Sequence, residues 1–550
     1  MKTGAQLLVE TLLTNGAEIG FGVPGESYLA VLDALYDAGD DFRFIGCRNE
    51  GGGAFMAEAY GKLTGKPGLL FVTRGPGITN ASIGIHTAMQ NSSPMVVFVG
   101  QIATGLRGRE AFQEVDYKQV FGGLAKWVVE IDDAARVPEL VSRALTVAQS
   151  GRPGPVVVAL PEDMLVAKSD ARIRPAVTAM KPHANAGDAT PIMERIAQAE
   201  RPVVIVGGGG WNSNGKTALQ NWAEANALPV VAAFRCQDLI DNNSPSYVGD
   251  SGVGMPPHVR KFLDESDLII CINARFGEML TDAWTLFEPE TFDTPLIHIH
   301  ASEAELGKIF TPDVAVMSCP NAACTMLAGT SVIDAPVWAE RTVTQHKTWA
   351  ATIAAPMQTG AVDMAAVMEI IRDTLPDDAI VTNGAGNFAI WPGRHIVYGE
   401  GMTMLAPQSG AMGAGVPSAI MAKLVQPERF ALCFAGDGDF QMNCQELGTA
   451  LQHGAAPVIL VLNNGTYGTI RMHQERDYPR RVSGTEIVNP DFAALARSYG
   501  FHGETVEQTD DFADAWKRAC KSPTGAVLEL ITDAEAITPR TTITALRGDL

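Results

Sequence analysis

The stretch GDGDFQMNCQELGTALQHGAAPVILVLNN occupies residues 436–464 and decides how the chain is read. It follows one short apolar run at 430–434 and contains another at 457–462, with a helical pattern between them. Runs that are apolar throughout suit strands of a parallel sheet covered on both faces. The first run leads into Gly436-Asp437-Gly438 and the second into Asn463-Asn464. Asp437 and Asn464 therefore fall at the carboxyl ends of two strands, the edge at which open α/β sheets bind ligands. A carboxylate, an amide oxygen and a nearby backbone carbonyl are hard oxygen ligands. They suit an octahedral Mg²⁺ that also holds phosphate oxygens. A Gly-Asp-Gly alone is ordinarily a turn after a strand; the Asn pair behind a second strand points it toward metal and phosphate.

Similar runs at 68–73, 95–100, 155–160, 202–206 and 268–272 alternate with amphipathic segments. The pattern predicts an α/β protein of repeated βα units in doubly wound parallel sheets. At 550 residues the chain exceeds one core, and three domains are expected. Periodicity lapses at 166–190, where Pro, Ala and charge gather, and at 331–358, rich in Ala and Thr. These are read as linkers between domains at 1–165, 191–330 and 359–550. No close internal repeat is evident between the first and third blocks.

A formal net charge of -21, with no basic run longer than Arg480-Arg481, argues against nucleic acid as a partner. The eight cysteines are scattered without a CxxC pair, so neither a zinc site nor a disulfide framework is expected. The opening MKTGAQLLVETLLTNG predicts an amphipathic helix rather than a signal peptide. No uncharged apolar stretch reaches the roughly 18 residues that span a bilayer. A cytoplasmic protein with no membrane partner is expected.

Cys47-Arg48-Asn49-Glu50 leads through GGGAFMAEAYGKLTG into a strand and the loop TRGPGITN at 73–80. From Glu50 to Asn80 the chain resembles the pyrimidine-binding domain of the acetolactate synthase-like family of thiamine-diphosphate enzymes. Residues 436–464 resemble that family's magnesium–diphosphate motif. The resemblance covers nearly the whole chain, in the order pyrimidine-binding, central and diphosphate-binding domain. It implies thiamine diphosphate and Mg²⁺ as cofactors, with Asp437, Asn464 and Thr466 on the metal.

It also implies that Glu50 hydrogen-bonds N1′ of the aminopyrimidine ring. A carboxylate held in an apolar pocket has a raised pKa and can share a proton there. In TNGAGNFAIW (382–391) and APQSGAMGAGVPSAI (406–420), Gly386 and Asn387 are implied to contact the diphosphate. The Gly410 carbonyl would receive the 4′-amino group, and Met412 would wedge beneath the bent cofactor, an orientation effect. Gly25, Pro76, Asn80, Gly436, Gly438, Asp439, Tyr467 and Gly468 complete the implied cofactor contacts. Ala111-Phe112-Gln113-Glu114 and Lys126 match the acceptor side, with Gln113 implied to be catalytic. In this family the glutamate and the diphosphate site belong to different subunits. A homodimer is thus the smallest active unit implied, and a homotetramer is common.

Departures limit what carries over. The family's acceptor-binding Arg falls at Met279 in Arg275-Phe276-Gly277-Glu278-Met279, and Met cannot make its bidentate contact. His473 stands at a Trp position near Ile470, and Arg74 replaces the Ser before Gly-Pro-Gly. Arg74, Phe112, Ile470 and His473 are therefore the expected substrate-side residues, with Arg74 a candidate source of the missing charge. Residues 207–210 follow the run PVVIV as in a Rossmann start, yet no GxGxxG with a downstream acid follows. FRCQD (234–238) and YVGDSGVGM (247–255) replace the family's other flavin segments. FAD is therefore not the favoured reading, and the central domain is expected to shape the active-site entrance. The adjacent histidines of the decarboxylase branch are missing, and His86 reads as structural.

The expectation is a carboligase in which a 2-oxo acid loses CO₂ and its carbon unit joins an aldehyde or 2-oxo acid acceptor. The alternatives are a non-ligating decarboxylase, an FAD-dependent pyruvate oxidase-like enzyme and a thiamine-diphosphate-binding regulatory subunit. Retention of Glu50, Asp437 and Asn464 together opposes the last.

Overall fold

Each continuous apolar run becomes a strand buried on both faces, as seen in a computed structural model that describes residues 1–548. Among these residues the strands form three six-stranded sheets, parallel throughout, beside a short antiparallel pairing of Lys2–Thr3 with Lys168–Ser169. The first holds β1 (Ile19–Gly22), β2 (Arg43–Gly46), β3 (Gly68–Val72), β4 (Met95–Gln101), β5 (Trp127–Glu130) and β6 (Pro155–Pro161). Their order is 2-1-3-4-6-5. The second holds β7 (Pro202–Val206), β8 (Val230–Ala232), β9 (Tyr247–Asp250), β10 (Leu268–Ile272), β11 (Leu296–His300) and β12 (Val314–Met317), ordered 9-8-7-10-11-12. The third holds β13 (Ile380–Asn383), β14 (Thr403–Leu405), β15 (Ala431–Gly436), β16 (Val458–Asn463), β17 (His502–Val506) and β18 (Ala526–Ile531), ordered 14-13-15-16-18-17.

Numbered from its own first strand, the third sheet repeats the order of the first. The chain thus carries a topological repeat that its sequence does not display. The central sheet instead has the 3-2-1-4-5-6 order of dinucleotide-binding folds.

Alternation along the strands assigns each face. Leu70, Val72, Val97, Val99 and Val157 of the first sheet share one core with Cys433, Ala435, Ile459, Val461 and Val527 of the third. The helices Glu50–Thr64 and Gly415–Val425 pack together inside that core. The opposite faces, with Leu69, Phe71, Val96 and Phe98 in one sheet and Leu432, Phe434 and Leu460 in the other, have cores of their own. The first and third domains are therefore fused across a common apolar layer.

Both expected linkers contain regular structure. The helix Ala186–Gln198 begins inside the first, capped by Asn185. The second holds the helix Ala339–Ala350, whose Trp349 meets Tyr247 of β9 edge to face at 4.7 Å. Buried Trp338 and Trp349 tie it to the central core, although its exposed face is too polar to read as a long helix. No helix of the described residues is long and apolar enough to cross a membrane.

Candidate active site

β13 and β15 are neighbours whose connections leave in opposite directions, and a doubly wound sheet takes its ligand in the crevice above such a point. The turn after β13 supplies Gly386 and Asn387, and the end of β15 supplies Gly436, Asp437, Gly438 and Asp439. The loop after β16 adds Asn464, Thr466, Tyr467 and Gly468. With Gly410, Met412 and Ile470 they line a cavity of about 280 Å³.

Close approach accounts for the Gly-Asp-Gly. A Cβ on Gly436 would lie 2.7 Å from the Phe388 ring, and one on Gly438 2.5 Å from the Tyr467 ring. Between them Asp437 is only 3% exposed. Its Oδ1 accepts the Gly438 N–H at 2.8 Å; its Oδ2 accepts from Gly465 N at 2.8 Å and Asn489 Nδ2 at 2.7 Å. Burial raises its pKa, and these donors offset only part of that rise. Asn464 Oδ1 accepts the Thr466 N–H at 3.1 Å, and Thr466 Oγ1 donates to the Thr485 carbonyl at 2.8 Å. Asp439 is more enclosed still. Burial pushes its carboxyl up to about 7, with Oδ1 accepting from Gly413 and Ala385 and Oδ2 left without a partner.

The other half lies at the matching point of the first sheet, where β1 and β3 are neighbours. Here stand Gly25 after β1, and Arg74, Pro76 and Asn80 after β3. Glu50 opens its helix half-buried, and its Oε2 accepts from Asn80 Nδ2 at 3.0 Å. Gln113 adopts φ 64°, and its carbonyl accepts the Gly75 N–H at 3.2 Å. Phe112 is 72% exposed. Within one chain, none of these residues lines the diphosphate-side cavity.

Arg74 does not supply a free charge to that cavity. Its guanidinium lies 3.3 Å from Glu26 and 3.0 Å from Glu162, and its Nη1 donates to the Phe112 carbonyl. Two carboxylates already oppose it. Lys126 is likewise occupied, donating to the Val147 and Ser150 carbonyls at 2.6 Å.

A larger cleft, about 1040 Å³, opens between the central and third domains. It brings together Met279, His473, Gly386, Asn387 and Gly410, and His86 lines it too. His86 therefore faces a cavity rather than serving the core alone. His473 is exposed, and its Nδ1 lies 2.9 Å from Arg476. In the glycine turn of the central domain, Gly207 O accepts from Trp211 Nε1 at 2.8 Å and from Asn273 Nδ2 at 3.1 Å. The carbonyls of that turn thus serve packing.

Three residues escaped the sequence reading. Asn489 braces Asp437 from a loop 52 positions away. Glu446, fully buried, accepts the N–H groups of Arg48 at 3.2 Å and Asn49 at 2.9 Å, and Thr449 Oγ1 at 2.6 Å. A Cβ on Gly52 would come 2.5 Å from Glu446 Oε1, so the glycines after Glu50 admit a carboxylate from the third domain. The third is Arg235, buried in the cleft. None has a local signal, because each acts on a partner distant in the chain.

Comparison with known proteins fits this geometry. Residues 2–120 match the thiamine pyrophosphate enzyme N-terminal TPP binding domain, 189–327 the central domain and 384–530 the C-terminal TPP binding domain. The chain belongs to the thiamine pyrophosphate enzyme family, as an acetolactate synthase-like member that depends on thiamine diphosphate. It is 33% identical to the acetolactate synthase large subunit of Parasynechococcus marenigrum, over 96% of this chain and 87% of the relative. It is 30% identical to the acetolactate synthase isozyme 2 large subunit of Escherichia coli, over 92% and 91%. The Lactococcus lactis large subunit is 30% identical over 98% and 94%.

Proposed function

We propose that this enzyme binds thiamine diphosphate through Mg²⁺ and joins the carbon unit left by decarboxylation of a 2-oxo acid to an acceptor carbonyl. The observation that carries the metal is the charge of the cavity. Among the described residues its lining includes Asp437, Asp439 and Asp533 and no Lys, Arg or His. A diphosphate enters such a site only with a cation that outweighs the carboxylates. Asp437 and Asn464 side-chain oxygens with the Thr466 carbonyl give the hard oxygen set that Mg²⁺ prefers. Asp437 Oδ1, which accepts the Gly438 N–H alone, keeps a lone pair beyond that contact.

When bound, thiamine diphosphate supplies the carbanion-stabilising thiazolium that the chain lacks. The chain's own residues hold and orient it. Glu50 would share a proton at N1′, the Gly410 carbonyl would accept the 4′-amino group, and Met412 would fix the cofactor's bend. Gly386, Asn387, Gly436, Gly438, Tyr467 and Gly468 would line the diphosphate, while Gly25, Pro76 and Asn80 would enclose the pyrimidine. Gln113 and Phe112 would face the acceptor, with Ile470 and His473 on the opposite wall.

Glu50 and the diphosphate cavity lie apart within one chain, which supports a homodimer with sites between subunits. The homotetramer, the cytoplasmic location and the domain limits at 165, 190, 330 and 358 belong to the same reading. A central domain that shapes the entrance is favoured over one that carries FAD. The test is calorimetric titration with thiamine diphosphate after chelation. Binding should vanish without Mg²⁺ and return with it; full affinity in chelator would sink the metal assignment. Product identification with pyruvate, an aldehyde and a second 2-oxo acid then tests the ligation itself.

A further inference from the structure

Arg235 sits just past the carboxyl end of β8, in the left-handed region at φ 58°. A residue other than glycine persists there only when its surroundings hold it, and such strain gathers at functional sites. Its guanidinium lies over the Phe234 ring at 4.9 Å, and Phe234 is itself wedged against Gly252. The side chain is 7% exposed, and it lines the cleft shared with Gly386, Asn387 and Gly410. Among the described residues its one hydrogen bond runs from Nη1 to the Pro407 carbonyl, which already accepts the Gly410 N–H at 3.0 Å. No carboxylate of the described residues comes within salt-bridge distance of it. Burial lowers its pKa only to about 10, so it is cationic at neutral pH.

A guanidinium offers five N–H donors, and burying one without an anion is costly. The other cations of the cleft are more exposed, and two of them are paired. Arg394 faces Asp250 at 3.9 Å, Arg476 pairs with Asp477 at 2.8 Å, and Arg540 is exposed. Arg275 donates to the Gln90 carbonyl at 2.6 Å and feels the charge of Glu305, much as Arg235 feels that of Asp439, but it is only partly buried. Arg235 is thus the buried, immobilised cation next to the proposed reaction centre, with Asp439 acting on it only from beyond salt-bridge distance.

We propose that Arg235 is the carboxylate anchor for a 2-oxo acid in this cleft, supplying from β8 the charge missing at Met279. The inference rests on the proposed 2-oxo acid chemistry and names the residue that selects for it. A planar carboxylate accepts two parallel N–H bonds from the guanidinium fork. The anchor stands beside the Gly410 turn, whose Pro407 carbonyl Arg235 touches.

The test uses the full chain loaded with thiamine diphosphate and Mg²⁺, as wild type, Arg235→Gln and Arg235→Lys. Oxamate, an unreactive 2-oxo acid analogue, is titrated by calorimetry, which requires no turnover. The Gln variant should bind it about 10- to 150-fold more weakly, the range of a charge-assisted contact, with Lys in between. Steady-state assays with pyruvate then locate the carboxylate. A raised KM for CO₂ release assigns it to the donor. A raised KM confined to a 2-oxo acid acceptor, with acetaldehyde unaffected, assigns it to the acceptor. Equal oxamate affinity in all three proteins overturns the proposal, as does failure of the wild type to bind oxamate. So does loss of C2 hydrogen–deuterium exchange with oxamate binding intact, which makes Arg235 a support for the Pro407–Gly410 turn. If no 2-oxo acid is turned over but oxamate binding depends on Arg235, the proposed reaction fails and the anchor stands.

Discussion

The first and third domains share a strand order and place their ligand residues above the same pair of neighbouring strands, yet the two crevices are finished differently. The third-domain crevice is enclosed and self-braced, with Asp437 at 3% exposure and N–H donors on both carboxylate oxygens. The first-domain crevice is open. Glu50 is half-buried with the one side-chain donor Asn80, and Phe112 stands 72% exposed. One scaffold thus carries two kinds of site, because the loops and not the sheet decide the chemistry. In the proposed function the closed crevice holds a charged group, and the open one presents a proton carrier to the subunit that covers it.

That division can be broken at Glu50 first. Glu50→Gln keeps shape and hydrogen bonding but cannot share a proton. Cofactor affinity should hold while C2 hydrogen–deuterium exchange of bound thiamine diphosphate falls on the order of 10²–10⁴-fold. Unchanged exchange would remove Glu50 from the chemistry. Asp437→Ala should do the reverse, weakening Mg²⁺ and thiamine diphosphate together. The thermal stabilisation by saturating cofactor, about 3–4 kcal/mol, should disappear; wild-type affinity in this variant would return the Gly-Asp-Gly to an ordinary turn.

Acid should separate the central domain from the flanking pair. Its strand β11 carries His298 and His300, each 2% exposed, and burial lowers the His300 pKa to about 4. The unfolded chain takes up this proton near pH 6.5 and the folded chain does not. Stability is therefore full above about 6.5 and lost as pH falls toward 4, by about 3 kcal/mol from this group. Thermal unfolding of His300→Gln should show a flatter pH profile over that window; a profile parallel to wild type would rule the histidine out. The smallest effect belongs to Glu446→Gln, which keeps one acceptor for the Arg48 and Asn49 amides. It should cost about 1 kcal/mol of stability, and lower C2 exchange less than tenfold. No change in either would mean that the third domain does not help hold Glu50 in place.

What the sequence discloses follows from how far each partner lies along the chain. Strands such as β4 and β10 are legible because both faces are buried and every residue, the final Gln101 of β4 apart, is apolar. β11 hides two histidines, β18 carries Glu529 to receive Asn463 and Thr505, and the edge strand β17 is largely polar. None of these shows a continuous run. The Gly-Asp-Gly and Asn-Asn are legible because a strand end and its turn are local. Arg235 and Glu446 are not, since their meaning depends on Pro407, 172 residues on, and Arg48, 398 residues back. Arg74 misleads for the same reason, because nothing near it announces Glu162.

The apolar layer shared by the first and third domains also sets the order in which the protein can mature on the ribosome. Val97, Val99 and Val157 are complete early in synthesis, but Cys433, Ile459 and Val461, which cover them, lie beyond the entire central domain. At about 5–20 residues per second, the roughly 220 residues between β6 and β13 take about 10–45 s to appear. Through that interval the nascent chain displays half of a core with nothing to cover it. The central domain can close on itself meanwhile, so a chaperone that shelters this enzyme in the cell would meet the inner face of the first domain before any other surface.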